Sequence, residues 1–391
     1  MTLVIQSKPE TITRDTSLSH FLLMFGYKLF SLYFPLYLVA NNFSLSQVGY
    51  TNFLIYLPIA LFAPVVGFLN HKINPAILMV LGILGYASYS IGMILFPNLI
   101  VFYILQIILG ISGALFFVSS RAALMGAKLK NPDGSFGWFY SAANYGDAFA
   151  PALGAFLIWK FGFTGVFTAA AIIQVTAAIY CFLSLRKSQV EQVDNIPLKE
   201  SLNNYSRIVQ TMGMKKSWLF IGVAFLILIL GGFNNTFFPL FLKSLGWSQN
   251  KILIFSSSLS IIFLPLSVWV IKIISQRRSE VNFSLGAKIV GVFSVILGIL
   301  ANYLNAVCMF FIRLGNNIGG LMASSGRIGL MAANLKEYPK ESAAVDTIFS
   351  PFATAFGALF GGWLVSAFGY PFIFIGLGAL IFGFAFLLKE N

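Results

Sequence analysis

Charge is scarce in this sequence. Asp, Glu, Lys and Arg make up 9% of its 391 residues, against 58% hydrophobic side chains. So little polar surface cannot cover a water-soluble globule of this length, and lipid has to be the main solvent. Histidine and cysteine number two each. Cys181 and Cys308 fall in separate predicted spans, and His20 and His71 lie near opposite ends of the first two. The expectation is therefore no structural disulfide, no metal and no cofactor. An enzyme embedded in the membrane would need a converging Ser, His and Asp set or a metal triad, and two peripheral histidines supply neither. No GxxxxGK[ST] run occurs, so energy is expected from an ion or solute gradient. A cleavable leader is not visible either. Residues 1–18 are polar, carry Glu10, Arg14 and Asp15, and read as a cytoplasmic N-terminal segment leading straight into a full-length apolar stretch.

What the sequence has is apolar length. Runs near 20 residues, the length a helix needs to cross about 30 Å of hydrocarbon, are placed near 19–40, 48–69, 75–96, 99–124, 136–158 and 163–185. A polar linker follows at 186–216, and spans resume near 217–242, 250–274, 283–304, 306–328, 342–366 and 370–388. The pattern predicts an all-α membrane protein of twelve transmembrane helices. Its six-helix bundles cover 19–185 and 217–391. The 35 glycines fit, because small residues let helices approach closely in lipid.

Lys and Arg placement sets the orientation, since cytoplasmic loops retain positive charge. With both termini inside, most of the 25 basic residues are cytoplasmic. Only Lys160, Lys243 and Lys251 are outside, and Lys28, Lys288 and Arg313 remain within spans. The net charge of +13 is thus explained without nucleic acid, whose readers gather basic residues along one groove-facing surface. The bilayer is the implied partner, and a cell (plasma) membrane the implied location.

The two halves resemble one another, as in transporters built from repeats around a central site. FPLYL at 34–38 recurs as FPLFL at 238–242. Each is followed by Ser-Gln, at Ser46 and Gln47 and at Ser248 and Gln249, and then by Leu-Pro, at Pro58 and Pro265. SSRAALMGAKLK from Ser119 is similar to SSGRIGLMAANLK from Ser324.

Three local patterns extend the likeness to a known family. The loop after the second span reads GFLNHKINP from Gly67, with Asn70 where an acid is usual and His71 where a base is usual, followed by Lys72. The fifth span reads GDAFAPALGA from Gly146, through Pro151 to Gly154, with Ala150 where Gly is usual. The fourth reads QIILGISG, with Gln106 where Arg is usual, while Arg313 holds the matching place in the tenth. Over essentially its whole length the chain resembles the major facilitator superfamily, and the fifth-span pattern is similar to that of its drug and metabolite proton antiporters. The resemblance implies alternating access, a cavity lined by the first, fourth, seventh and tenth spans, a fifth span beside the first, and a chain that works as a monomer.

Chemistry is expected where the bilayer would otherwise reject polar groups. Lys28 lies about nine residues, roughly 13 Å, into the first span, and Asp147 about eleven residues into the fifth, which puts both near mid-depth. Given the implied neighbourhood they form a protonation-sensitive pair, with Asp147 exchanging the proton, or else a permanent structural ion pair. For Arg313 no acid exists in the first, fourth, seventh or tenth span, which favours substrate or anion binding over a snorkelling arginine. Asn234 and Asn235 of GGFNN, Asn316 and Asn317 of GNN, and Tyr27, Gln106 and Asn144 are further substrate candidates, because carboxamides and phenols donate and accept. The alternative for them is interhelical hydrogen bonding.

The expected function is secondary active transport of a small organic solute, coupled to protons and leaning to an anionic or polar neutral substrate. A proton-driven multidrug efflux antiporter is the alternative. A non-transporting receptor or a lipid scramblase of the same architecture is the alternative from another class.

Overall fold

The computed structural model describes residues 9–388 apart from 71, 96–98, 126, 128–131, 187–217, 275 and 335–338. His71 and the linker at 186–216, but for its first residue, lie outside the described residues. The described chain is helical: α1 (Pro9–Ser31), α2 (Phe34–Ala40), α3 (Leu45–Leu69), α4 (Pro75–Leu95), α5 (Leu99–Met125), α6 (Pro132–Leu185), α7 (Trp218–Ser244), α8 (Gln249–Ile274), α9 (Ser279–Leu300), α10 (Ala306–Asn334) and α11 (Pro339–Phe386).

Local chemistry sets several of these boundaries. Pro35 lacks an N–H and crowds the carbonyl four residues back, so α1 stops at Ser31 and α2 restarts at Phe34. Ser44 opens α3 as a capping box: its Oγ accepts from the Gln47 N–H at 3.3 Å and Gln47 Oε1 accepts from the Ser44 N–H at 2.8 Å. Asn74 and Asn305 cap α4 and α10 by accepting from the backbone N–H groups of Ala76 at 2.9 Å and Cys308 at 2.8 Å.

Ten described helical stretches are long and apolar enough to cross a membrane. Their outer faces carry Leu, Ile, Phe and Trp, with Ile100 and Ile254 at 69% and 67% exposure, a surface that water would not tolerate over so many helices.

Two stretches, Tyr145–Leu185 and Thr347–Phe386, are far longer than a crossing needs. Each is broken at a glycine in the left-handed region, Gly162 (φ 67°) and Gly369 (φ 79°). The chain doubles back at both. Along α1, His20, Phe25 and Leu29 meet Phe139, Gly146 and Gly154, so the first arm of α6 (132–161) runs with α1. Asp15, Gly26 and Phe30 meet Tyr180, Gln174 and Phe167, so the second arm (163–185) runs against it. Along α7, Phe225, Ile229 and Phe233 meet Phe349, Gly357 and Gly361 on the way up α11, and Phe233 and Phe241 meet Phe374 and Tyr370 on the way down. These reversals coincide with the gaps between the predicted spans at 159–162 and 367–369.

The described residues form two compact units. The first takes α1, residues 54–69 of α3, α4, α5 and α6. Its main seams are α1 on α6 and α4 on α5 and α6. The second takes most of α2, residues 45–53 and α7 to α11, with α9 packed on α10 and α11 and α7 on α11. Residues 45–53 belong there because backbone meets backbone: a Cβ at Gly49 would strike the Ala358 carbonyl, and one at Gly362 the Leu45 carbonyl.

The helix carrying the first span begins at Pro9 rather than near 19. Hydropathy places the start late because Thr13, Asp15, Thr16 and Ser19 are polar, yet all four are buried. Asp15 is satisfied by Arg14 Nε and the Tyr180 hydroxyl, both at 2.9 Å.

Candidate functional site

The first unit brings together the two charges of opposite sign that the sequence reading places near mid-depth. Lys28 Nζ lies 2.7 Å from Asp147 Oδ1, and neither side chain is sealed, at 29% and 47% exposure. The sequence dictates this meeting through backbone fit. Gly146 sits on the Phe25 backbone, where a Cβ would come within 3.2 Å of its nitrogen, and Gly154 sits on the Leu29 carbonyl. Pro151 accepts a hydrogen bond from the Tyr33 hydroxyl at its carbonyl, 3.0 Å. Gly146 and Gly154 thus lie against α1 and Pro151 meets Tyr33 just beyond its end, with Asp147 between the two glycines in sequence. Tyr27 stands edge-on to Tyr86 and Phe30, with ring centroids 5.6 and 5.4 Å apart.

In the second unit Arg313 of α10 reaches α7. Its Nη1 donates to Asn234 Oδ1 at 3.0 Å, and its Cζ lies 3.9 Å from the centroid of the Phe238 ring. Its Nε is buried without a partner. Among the described residues no carboxylate pairs with Arg313.

The other sequence candidates separate. Asn235 is exposed, next to the buried Asn234 on α7. Asn316 donates from Nδ2 to Ser294 Oγ at 2.9 Å, a bond between α10 and α9. Gln106 is fully buried and donates to the Phe102 carbonyl of its own helix at 3.1 Å. Asn317 is half-buried on α10, and the Asn144 side chain lies outside the described residues. Gly67, predicted in a loop, lies in the last turn of α3 and faces open space. Asn70 turns back to the Val66 carbonyl at 2.9 Å, and Lys72 lies over the Phe68 ring at 4.6 Å.

Sequence reasoning missed two features. Phe238 begins the FPLFL repeat, but a phenylalanine in an apolar run reads as packing or lipid contact. His20 reads as peripheral, yet it is buried among Phe116, Phe117 and Phe139, stacked on the last at 4.3 Å, with Nδ1 2.9 Å from the Phe139 carbonyl. The Pro9 start of α1 was the missing signal, since it carries His20 a full three turns from the helix end.

The two units are not copies in chemistry. Lys28 precedes FPLYL by the same interval as Gly232 precedes FPLFL, and Asp147 precedes Gly162 as Thr354 precedes Gly369. Where the first unit has the ion pair, the second presses Gly232 onto the Thr354 carbonyl.

A family model described as Major Facilitator Superfamily matches residues 16–347. Among curated proteins, none matches the sequence. Solved structures similar to the chain include a bacterial homologue of the human drug peptide transporters PepT1 and PepT2, at TM-score 0.73 and 14% identity, with 98% of each chain covered. Tetrameric PepTSo2 is similar at TM-score 0.72 and 14% identity, with 97% of each chain covered. A POT family transporter in complex with 5-aminolevulinic acid is similar at TM-score 0.69 and 16% identity, covering 96% of this chain and 94% of that one.

Proposed function

The chain belongs to the Major Facilitator Superfamily, and we propose that it is a secondary active transporter moving a small organic solute by alternating access, with a proton coupled through Lys28 and Asp147. As members of this superfamily are, it is a multi-pass membrane transport protein and not an enzyme. The observation that carries the coupling is the 2.7 Å contact between two half-exposed groups of opposite charge. Protonating Asp147 removes the attraction that holds Lys28, so the pair exists in two states that a gradient can drive.

Ten apolar spans, two of them doubled back on a glycine, support twelve crossings. On this reading the six-helix bundles are 19–185 and 217–391, and both termini, with the linker 186–216, face the cytoplasm across the plasma membrane. Each chain carries out transport by itself. The solute is anionic or polar and neutral, which Arg313 favours and which fits a fold whose similar structures bind conjugated peptide and 5-aminolevulinic acid. The GDAFAPALGA run of α6 supports a second reading, proton-driven efflux of varied compounds.

The test is an internal pH dye in proteoliposomes of the purified protein, with organic anions, sugars and cationic drugs added in turn and Asp147→Asn alongside. Solute-dependent proton flux that the variant lacks is expected, and the active solute separates the two readings. Uptake equally fast in the variant, with no pH change, would make the pair structural. Absence of counterflow for every solute would point to a receptor, and headgroup-labelled lipid crossing between leaflets to a scramblase.

A further inference from the structure

The geometry points to a carboxylate-binding subsite on Arg313, built entirely within the second unit, in which Asn234 and Phe238 orient the guanidinium so that a solute carboxylate docks edge-on at Nε and Nη2. This deepens the transport reading above by naming the substrate class, and it rests on that reading.

Three observations carry it. First, the positive charge of Arg313 is left uncompensated among the described residues, its neighbours being a neutral carboxamide and an aromatic ring. A guanidinium about eight residues, or roughly 12 Å, into an apolar helix is costly without an anion. Second, its contacts are directional. Phe238 covers one face of the planar cation at 3.9 Å, and Asn234 Oδ1 takes Nη1 at 3.0 Å. With that nitrogen committed, the side edge formed by Nε and Nη2 is the one that matches the two oxygens of a carboxylate, and Nε has no partner in the protein. Third, the support is rigid. Phe238 and Asn234 are themselves buried, and Phe238 packs on Phe241 and Phe255. A fixed guanidinium loses little freedom on binding.

The same edge would also accept a tetrahedral oxyanion, but two in-plane donors beside an aromatic floor favour a planar one. Lysine could not replace the arginine, because an ammonium offers charge without the fork.

The experiment is a thermal-shift titration of the full-length protein in nanodiscs at neutral pH. The probes are matched acids and primary amides on one skeleton each (acetate and acetamide, lactate and lactamide, benzoate and benzamide), together with inorganic phosphate. At least one acid should stabilise the protein while its amide does not. Arg313→Lys should weaken that acid by about tenfold or more, and Phe238→Leu should weaken it less. The subsite is overturned if no acid shifts the protein, if amides shift it as well as acids, or if Arg313→Lys binds the acid like the parent chain. Phosphate binding in place of the carboxylates would overturn the carboxylate assignment. The two proposals fail separately: acid binding without proton flux sinks the coupling alone, and proton-linked transport of a solute lacking an acid group sinks the subsite alone.

Discussion

Lys28 and Asp147 meet at 2.7 Å in the first unit at the place where, in the second, Gly232 rests on the carbonyl of Thr354. The repeat has kept the helix seam and changed what lies in it.

Removing one member of the pair leaves the other charge without its partner, whereas removing both leaves none uncompensated. Lys28→Met and Asp147→Asn are each expected to lower the unfolding temperature, and the double variant to regain most of that loss. None of the three should show uptake that responds to a pH gradient. Thermal unfolding followed by light scattering, paired with uptake at two external pH values, checks both halves of the statement.

The seam itself is steric. Gly154→Leu forces a side chain into the Leu29 carbonyl and should cost about 2 kcal/mol or more. Gly67→Ala enters open space and should stay within about 0.5 kcal/mol of the parent. The surviving monodisperse fraction after graded heating ranks the two, and a Gly67→Ala variant as fragile as Gly154→Leu would refute the packing argument.

Asn316 is a structural residue on the observed geometry, bonded to Ser294 across α9 and α10. Ser294→Ala is expected to cost about 0.6 to 2 kcal/mol while the order of preference among solutes is unchanged. A reordered preference would return Asn316 to the substrate.

His20 is held by three phenylalanine rings and one backbone carbonyl, an environment that a fourth phenylalanine could fill. His20→Phe should fold, transport, and keep the parent's dependence on external pH. Loss of that dependence would move the coupled proton from Asp147 to the imidazole.

Much of this was legible in the sequence for identifiable reasons. Helical rise gives Lys28 and Asp147 similar positions along their spans, the family resemblance puts the fifth span beside the first, and the two groups do meet. Arg313 stands out because an arginine in an apolar run is rare. Its partners were harder to read. Asn234 and Asn235 are adjacent in sequence, yet only Asn234 is buried, and periodicity does not say which of them faces α10. Phe238 is one of 42 phenylalanines, and only a neighbouring helix gives it a role. The start of α1 was hidden because its buried Asp15 is met by Tyr180 of α6, information that no hydropathy window contains.

The contacts at Gly146 and Gly154 flank the ion pair along α1. Backbone thus lies against backbone on either side of Lys28, and a side chain at either glycine would press on the α1 backbone beside the ion pair.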